Sequence, residues 1–237
     1  MKKNMMDMTR GPIMPQLVKF GMPVLMGMFF QRIYNFVDVY IVGRYLGDEA
    51  LAAVSIAGSA MYLLMSLMMG LTTGVSIVMA QYYGAGNAQK VRETFASSIF
   101  VAAGMTVLIT VFGMLGSGGL LSLLQTNDAL RPLAHEYLLI IFAGCAGTML
   151  YNWIAAVMRS LGNSVVPLVF LIVSSVLNVV LDILLIAVIP MGVAGAALAT
   201  VLAQAISGLL CLLYAFKVLP QLRLKKQPKH DAMPCIR

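Results

Sequence analysis

Two aspartates, Asp38 and Asp182, each lie inside a long apolar segment of the sequence. A carboxylate in the hydrocarbon of a membrane costs about 3 kcal/mol, even on lenient insertion scales. Such a group persists where it faces a protein interior, pairs with another group or binds an ion. Two carboxylates at comparable depth therefore favour an ion-binding site within a membrane protein, as in an ion-coupled carrier.

Other oxygen-bearing side chains lie at a similar depth. At about 1.5 Å per residue, Asp182 and Thr200 each fall roughly 12 Å from the turn at 190–192, and Asp38 falls roughly 8 Å from Gly43. Asn178 precedes Asp182 by one helical turn and so shares its face. Oxygen ligands of this kind suit Na⁺, and two carboxylates could instead share protons. The alternative is structural, with the same side chains held by hydrogen bonds between helices.

The composition indicates the class of protein. Of the 237 residues, 60% are hydrophobic and 11% are charged, whereas soluble domains have about 25% charged residues. We therefore expect an integral membrane protein in a lipid bilayer. The basic residues are dispersed along loops and termini, so nucleic-acid binding is not expected. The three cysteines are far apart, so we expect no disulfide and no cysteine metal site. We also expect no metal site other than a possible Na⁺ site, no cofactor and no enzymatic activity.

Six apolar stretches are long enough to span a membrane, which takes about 20 residues. Charged or Gly/Pro-rich clusters separate them, and Pro190–Gly192 predicts a tight turn between the last two. Pro23 predicts a bend in the first helix, and Gly70 and Gly74 form a close-packing motif. We expect an all-α, polytopic bundle of six transmembrane helices. The spans are predicted at residues 15–42, 50–80, 93–115, 133–156, 163–189 and 192–216.

The distribution of lysine and arginine predicts the orientation. Most of the 16 basic residues fall on the side of the termini, and only Arg44 and Arg131 lie on the opposite side, with Arg32 inside the first span. Basic residues are enriched in cytoplasmic loops. We therefore expect a cytoplasmic segment at 1–14 and a basic cytoplasmic tail at 217–237.

Several stretches resemble the multidrug and toxic compound extrusion (MATE) family of transporters. They lie at 20–23, 34–38, 50–55, 81–86, 159–163, 177–182 and 192–200. The resemblance implies a secondary antiporter in the cell (inner) membrane that exports organic cations and drugs in exchange for Na⁺ or H⁺. It also implies a cation or proton site at Asp38, Asn178, Asp182 and Thr200, and a substrate cavity lined by Gln31, Tyr34 and Asn152.

The resemblance covers only the first of the family's two six-helix lobes. We expect residues 15–216 to form that lobe, with an apparent truncation before a second one. Transport would then need a second lobe or a second copy of the chain, and a transport-inactive remnant is the alternative. An intramembrane aspartyl protease is disfavoured, since neither aspartate has a Gly-x-Gly-Asp context. ATP-driven export is disfavoured because the sequence has no phosphate-binding loop.

Overall fold

A computed structural model describes residues 11–218, except for the side chains of residues 63 and 64. The described chain is almost entirely helical, which confirms the all-α prediction. Its helices are α1 (Ile13–Leu46), α2 (Asp48–Gly84), α3 (Ala88–Leu123), α4 (Arg131–Ala143), α5 (Cys145–Ser160), α6 (Val165–Asp182) and α7 (Val193–Val218). A π-helical segment, Ile183–Val188, continues α6. The predicted tail at 219–237 and the residues before 11 lie outside the described part.

Five of these helices are long and apolar enough to cross a membrane: α1, α2, α3, α6 with its π-helical extension, and α7. The helices α4 and α5 make a sixth crossing if they count together, but they meet at a bend of 51°. The span predicted at 133–156 corresponds to this bent pair, and the bend itself was not predicted from the sequence. The other helices run a few residues beyond most predicted ends. The predicted ends came from the stretches without charged residues, which indicate only the part of a helix within the hydrocarbon. The helical hydrogen bonds continue beyond it into the membrane interface.

Close packing against α7 accompanies the bend between α4 and α5. A Cβ atom added at Gly144 would collide with the side chain of Val201, and one at Gly147 would lie 2.8 Å from Cβ of Ala205. By contrast, a Cβ atom at Gly70 or Gly74 would meet no described atom within 4 Å. The sequence motif in α2 therefore does not mark a helix contact within residues 11–218.

The interior between α3 and α5 is built around Trp153. Its ring stacks on Phe95 at a centroid distance of 5.3 Å, and its indole N–H donates to Oγ of Ser98 at 2.9 Å. Large side chains elsewhere, such as Phe100 and Leu115, are exposed on the outside of the bundle. An apolar exterior around a hydrogen-bonded interior fits a lipid environment.

Helix α1 packs against α2, α6, the π-helical segment and α7, which brings its Asp38 next to the other aspartate. The helix continues through Pro23 without a break, so a functional bend there stays a prediction. The turn at 190–192 is confirmed: Gly192 has a φ of 63°, and α7 begins at the next residue. Cys145 and Cys211 are buried and unbridged.

Candidate functional site

The two aspartates meet where α1, α6 and α7 come together. Asp38 is 9% exposed and Asp182 is 0% exposed. Their carboxyl groups are within hydrogen-bonding reach of each other. Oδ1 of each residue is nevertheless buried without a hydrogen-bond partner in the described structure. The pair therefore keeps two buried oxygen acceptors without a partner in the described structure.

Asn178 and Thr200 complete the cluster. In the amide orientation that satisfies its neighbours, Nδ2 of Asn178 donates to Oδ2 of Asp182 at 2.8 Å, and its Oδ1 accepts from the backbone N–H of Thr200 at 3.2 Å. In the opposite orientation, Nδ2 donates to Oγ1 of Thr200 at 3.3 Å. Either way Asn178 connects α6 to α7. The structure thus brings together all four residues that the sequence predicted as a cation or proton site.

The depths of these residues agree better than the sequence suggested. Since α1 continues to Leu46 rather than ending near Gly43, Asp38 lies roughly 12 Å from its end at about 1.5 Å per residue. The predicted depth of roughly 8 Å was measured from Gly43, which the sequence suggested as the end of the helix.

Asp182 is also the last residue before the π-helical segment, and such segments are frequent at functional sites.

Two tyrosines approach the cluster, and sequence reasoning identified only one. Tyr34 on α1 lies near both aspartates and near the Thr200 side chain. Tyr137 on α4 makes the same approach from another side and is 6% exposed. Nothing in the local sequence separates Tyr137 from an ordinary core aromatic, because its place depends on the packing of α4 against α7.

Polar groups also continue from the cluster along α7. Gln204 follows Thr200 by one turn and Ser207 by two turns, so they share its face. Oε1 of Gln204 and Oγ of Ser207 are buried without a described partner. The one-turn and two-turn spacing from Thr200 was a signal that could have identified them from the sequence.

The two remaining cavity residues predicted from the sequence, Gln31 and Asn152, have no described hydrogen bond to the four-residue cluster. Gln31 is partly exposed on α1, and Nδ2 of Asn152 donates to the carbonyl of Thr148 in its own helix at 2.8 Å. Among the described hydrogen bonds, neither side chain contacts the aspartates. Arg32 is exposed. A substrate-lining role for Gln31 and Asn152 stays a prediction.

Comparison with known proteins gives consistent matches. The chain is 35% identical over 211 residues to the "Probable multidrug resistance protein YpnP" of Bacillus subtilis (strain 168), covering 89% of this chain and 47% of that protein. It is 26% identical to a "FAD transporter" of Shewanella oneidensis, covering 74% of this chain and 38% of that protein. The chain thus spans about half the length, or less, of the curated relatives that it matches.

A solved structure shares the fold. It is described as the "Outward-facing conformation of a multidrug resistance MATE family transporter of the MOP superfamily", and it is 28% identical with a TM-score of 0.82. The match covers 89% of this chain and 46% of that one. The sequence profile of the family described as MatE matches residues 23–184, which is most of the described chain. The profile match and the shared fold show that the chain belongs to the MatE family.

Proposed function

We propose that the chain forms one six-helix lobe of a multidrug efflux antiporter that exports organic cations in exchange for Na⁺ or H⁺. The observation that carries the proposal is the buried pair Asp38 and Asp182, in which each carboxyl keeps an oxygen without a described partner. The printed names of relatives support multidrug efflux as the activity. One relative is named as a FAD transporter, so the exported compound does not follow from the family alone.

The physical basis is the repulsion within the carboxylate pair. Two unit negative charges 4 Å apart repel by about 4 kcal/mol at an effective dielectric constant of 20. A cation or a proton between Asp38 and Asp182 removes that repulsion and draws α1 toward α6 and α7. Loss of the cation has the opposite effect, so site occupancy biases the position of α1.

Either coupling ion fits the available side chains. For Na⁺, the two carboxylates and the hydroxyl of Thr200 supply oxygen ligands from three helices, and Asn178 adds its amide oxygen in the orientation that turns this oxygen toward Asp182. For H⁺, the two carboxyls share one proton across their contact. Antiport then requires that binding of the coupling ion lowers the affinity of the lobe for the organic cation. By reciprocity, the organic cation lowers the affinity for the coupling ion by the same factor.

The test measures ion-dependent stability of the purified chain in detergent. At constant ionic strength, NaCl replaces choline chloride and thermal unfolding is followed. A cation that binds only the folded state stabilises it by about 2.7 kcal/mol at one hundred times its dissociation constant. We expect stabilisation in the wild-type chain and none in Asp182→Asn or Asp38→Asn. The control Asp128→Asn changes an exposed acid outside the cluster and should respond like wild type.

A second arm separates the two ions. If protons are the coupling ion, stability changes along a pH series without Na⁺, and both Asn variants lose that change. A Na⁺ response and a pH response are each consistent with the proposal. Wild-type behaviour in both Asn variants, in both arms, would contradict it.

A further inference from the structure

A second candidate site lies away from the aspartates, at one end of the bundle. A cavity of about 470 Å³ opens between the beginning of α1, the end of α2 and the end of α5. Phe20 and Val24 of α1 and Ile77 of α2 form apolar walls, and Arg159 in the last turn of α5 is its one charged lining residue. The cavity thus combines a single cation with a surface suited to hydrocarbon.

The Arg159 guanidinium is the cationic hydrogen-bond donor among the residues that line this cavity. The hydroxyls of the two lining serines are used within the protein: Ser76 donates to the carbonyl of Ala156 at 3.2 Å, and Ser160 donates to that of Val157 at 2.7 Å. The nearby titratable groups that influence Arg159 are Tyr151 and Cys211, and no carboxylate of the described chain is among them. A partly buried arginine with no carboxylate partner among residues 11–218 is costly in a membrane protein.

The charge of this end of the bundle favours an anion. Here α1 begins, α2 and α7 end, and α3 begins, and the described charged residues are five basic and one acidic. They are Lys19, Lys90, Arg92, Glu93, Arg159 and Lys217. The opposite end carries more acidic than basic residues, which are Arg44, Asp48, Glu49, Asp128, Arg131 and Glu136.

We propose that this cavity binds the phosphate group of an anionic phospholipid from the adjoining leaflet. Arg159 donates to the phosphate oxygens, a pairing that the forked guanidinium favours. An acyl chain packs on Phe20, Val24 and Ile77. Basic pockets between transmembrane helices suit lipid headgroups in this way, and the amphiphilic lining favours a lipid over a free anion. The proposal does not depend on the ion-coupling role of the aspartates.

Native mass spectrometry of the purified chain tests the proposal. The probes are dioleoyl phosphatidylglycerol and dioleoyl phosphatidylcholine, added separately to the chain in detergent. We expect the anionic lipid to bind at least about fivefold more tightly than the zwitterionic one, the effect of one basic residue near a membrane surface. Arg159→Gln should abolish this preference and Arg159→Lys should retain part of it. The control Arg92→Gln removes an exposed charge at the same end and should keep it.

A cavity-filling variant covers the case in which Arg159→Gln does not fold. Ala80 lines the cavity and is exposed, so Ala80→Phe should fill the space, keep the fold and reduce binding of the anionic lipid. Equal binding of both lipids by wild type, an unchanged preference in Arg159→Gln, or full binding by Ala80→Phe would each overturn the proposal. Complete competition by millimolar inorganic phosphate would assign the site to a free anion and would overturn the lipid as its ligand.

Discussion

At the residue scale, the candidate site depends on hydroxyl groups as well as carboxylates. Asp38 and Asp182 supply the charge, but the side chain of Thr200 also has Tyr34 and Tyr137 as neighbours. A hydroxyl can accept from or donate to its neighbours as the cluster gains or loses a cation. Under the proposed function, the two tyrosines would adjust the hydrogen bonding of Thr200 as the site gains or loses its cation.

Removal of the Tyr137 hydroxyl should weaken cation binding without unfolding the chain. A hydrogen bond contributes about 0.5–1.5 kcal/mol, so the cation concentration for half-maximal stabilisation should rise about two- to tenfold in Tyr137→Phe. Thermal unfolding across a cation titration measures this shift. Tyr151→Phe is the matched control, since Tyr151 is 7% exposed and donates to the carbonyl of Pro167 at 3.0 Å. It should lose stability but keep the wild-type half-maximal concentration; equal shifts in both variants would contradict a local role.

At the element scale, α5 and α7 form the close contact that holds the second half of the bundle together. Gly147 faces Ala205, and a Cβ atom at Gly208 would lie 3.0 Å from the backbone nitrogen of Tyr151. Small residues allow transmembrane helices to approach closely, where dispersion and hydrogen bonds replace the missing hydrophobic driving force. The tilt of α7 against α5 in turn sets the position of Thr200.

Substitution at this contact should therefore destabilise the fold. Gly147→Val places three added carbons against Ala205, and overpacking of this kind costs about 1–3 kcal/mol. Gly104→Val on α3 is the control, because a Cβ atom there meets no described atom within 4 Å. We expect a lower unfolding midpoint in detergent for Gly147→Val alone. A similar loss in Gly104→Val would show that helix propensity, rather than the contact, is responsible.

The hydrogen bond between α3 and α5 offers an independent test of packing. Ser98→Ala leaves the buried indole N–H of Trp153 without its acceptor, and such a group costs about 1–3 kcal/mol. Ser97→Ala removes an exposed hydroxyl one residue away and should be neutral. The protein has a single tryptophan, so its emission during unfolding reports on this position directly. Equal stability of the two variants would argue against the bond.

At the scale of the whole molecule, the described charges divide between the two ends of the bundle. The end at which α2 stops and α3 starts is basic, and the end that carries Asp48 and Asp128 is acidic. The positive-inside tendency assigns the basic end to the cytoplasm. Together with the six possible crossings, this assignment predicts that both termini lie in the cytoplasm.

Cysteine labelling in intact cells checks the orientation. Cysteines that replace the exposed residues Asp48 and Asp128 should react with an impermeant maleimide added outside, and one that replaces Lys90 should react only after permeabilisation. Cys145 and Cys211 are buried and should contribute little background, while Cys235 is replaced by serine. The reverse labelling pattern would invert the bundle in the membrane.

Transport by this polypeptide alone is a separate question. Alternating access in such transporters arises from two bundles that rock around a site, and this chain matches about half the length of its relatives. We expect no increase in resistance to cationic dyes when the chain is expressed by itself in a drug-sensitised strain. Resistance that is lost on Asp38→Asn, measured as minimal inhibitory concentration, would show instead that two copies assemble into a working carrier.

Much of this protein followed from the sequence by itself. The absence of charge over long segments determined the helical class and located the candidate membrane helices to within a few residues at most ends, because hydrocarbon excludes unpaired polar backbone. The same logic singled out Asp38 and Asp182, since carboxylates in such segments need a partner. The equal distances of Asp182 and Thr200 from the turn at Gly192 predicted their shared layer.

Only the tertiary structure decided how these helices meet. Depth along a helix does not specify its rotation or its neighbours, so the direct contact of the two carboxyls, the arrival of Tyr137 and the bend at Gly144 did not follow from spacing. The glycine motif in α2 misled for the same reason, whereas Gly144 and Gly147 mark true close approaches to α7. Contacts between residues distant in sequence depend on how whole surfaces fit, and that fit is settled only when all the helices pack together.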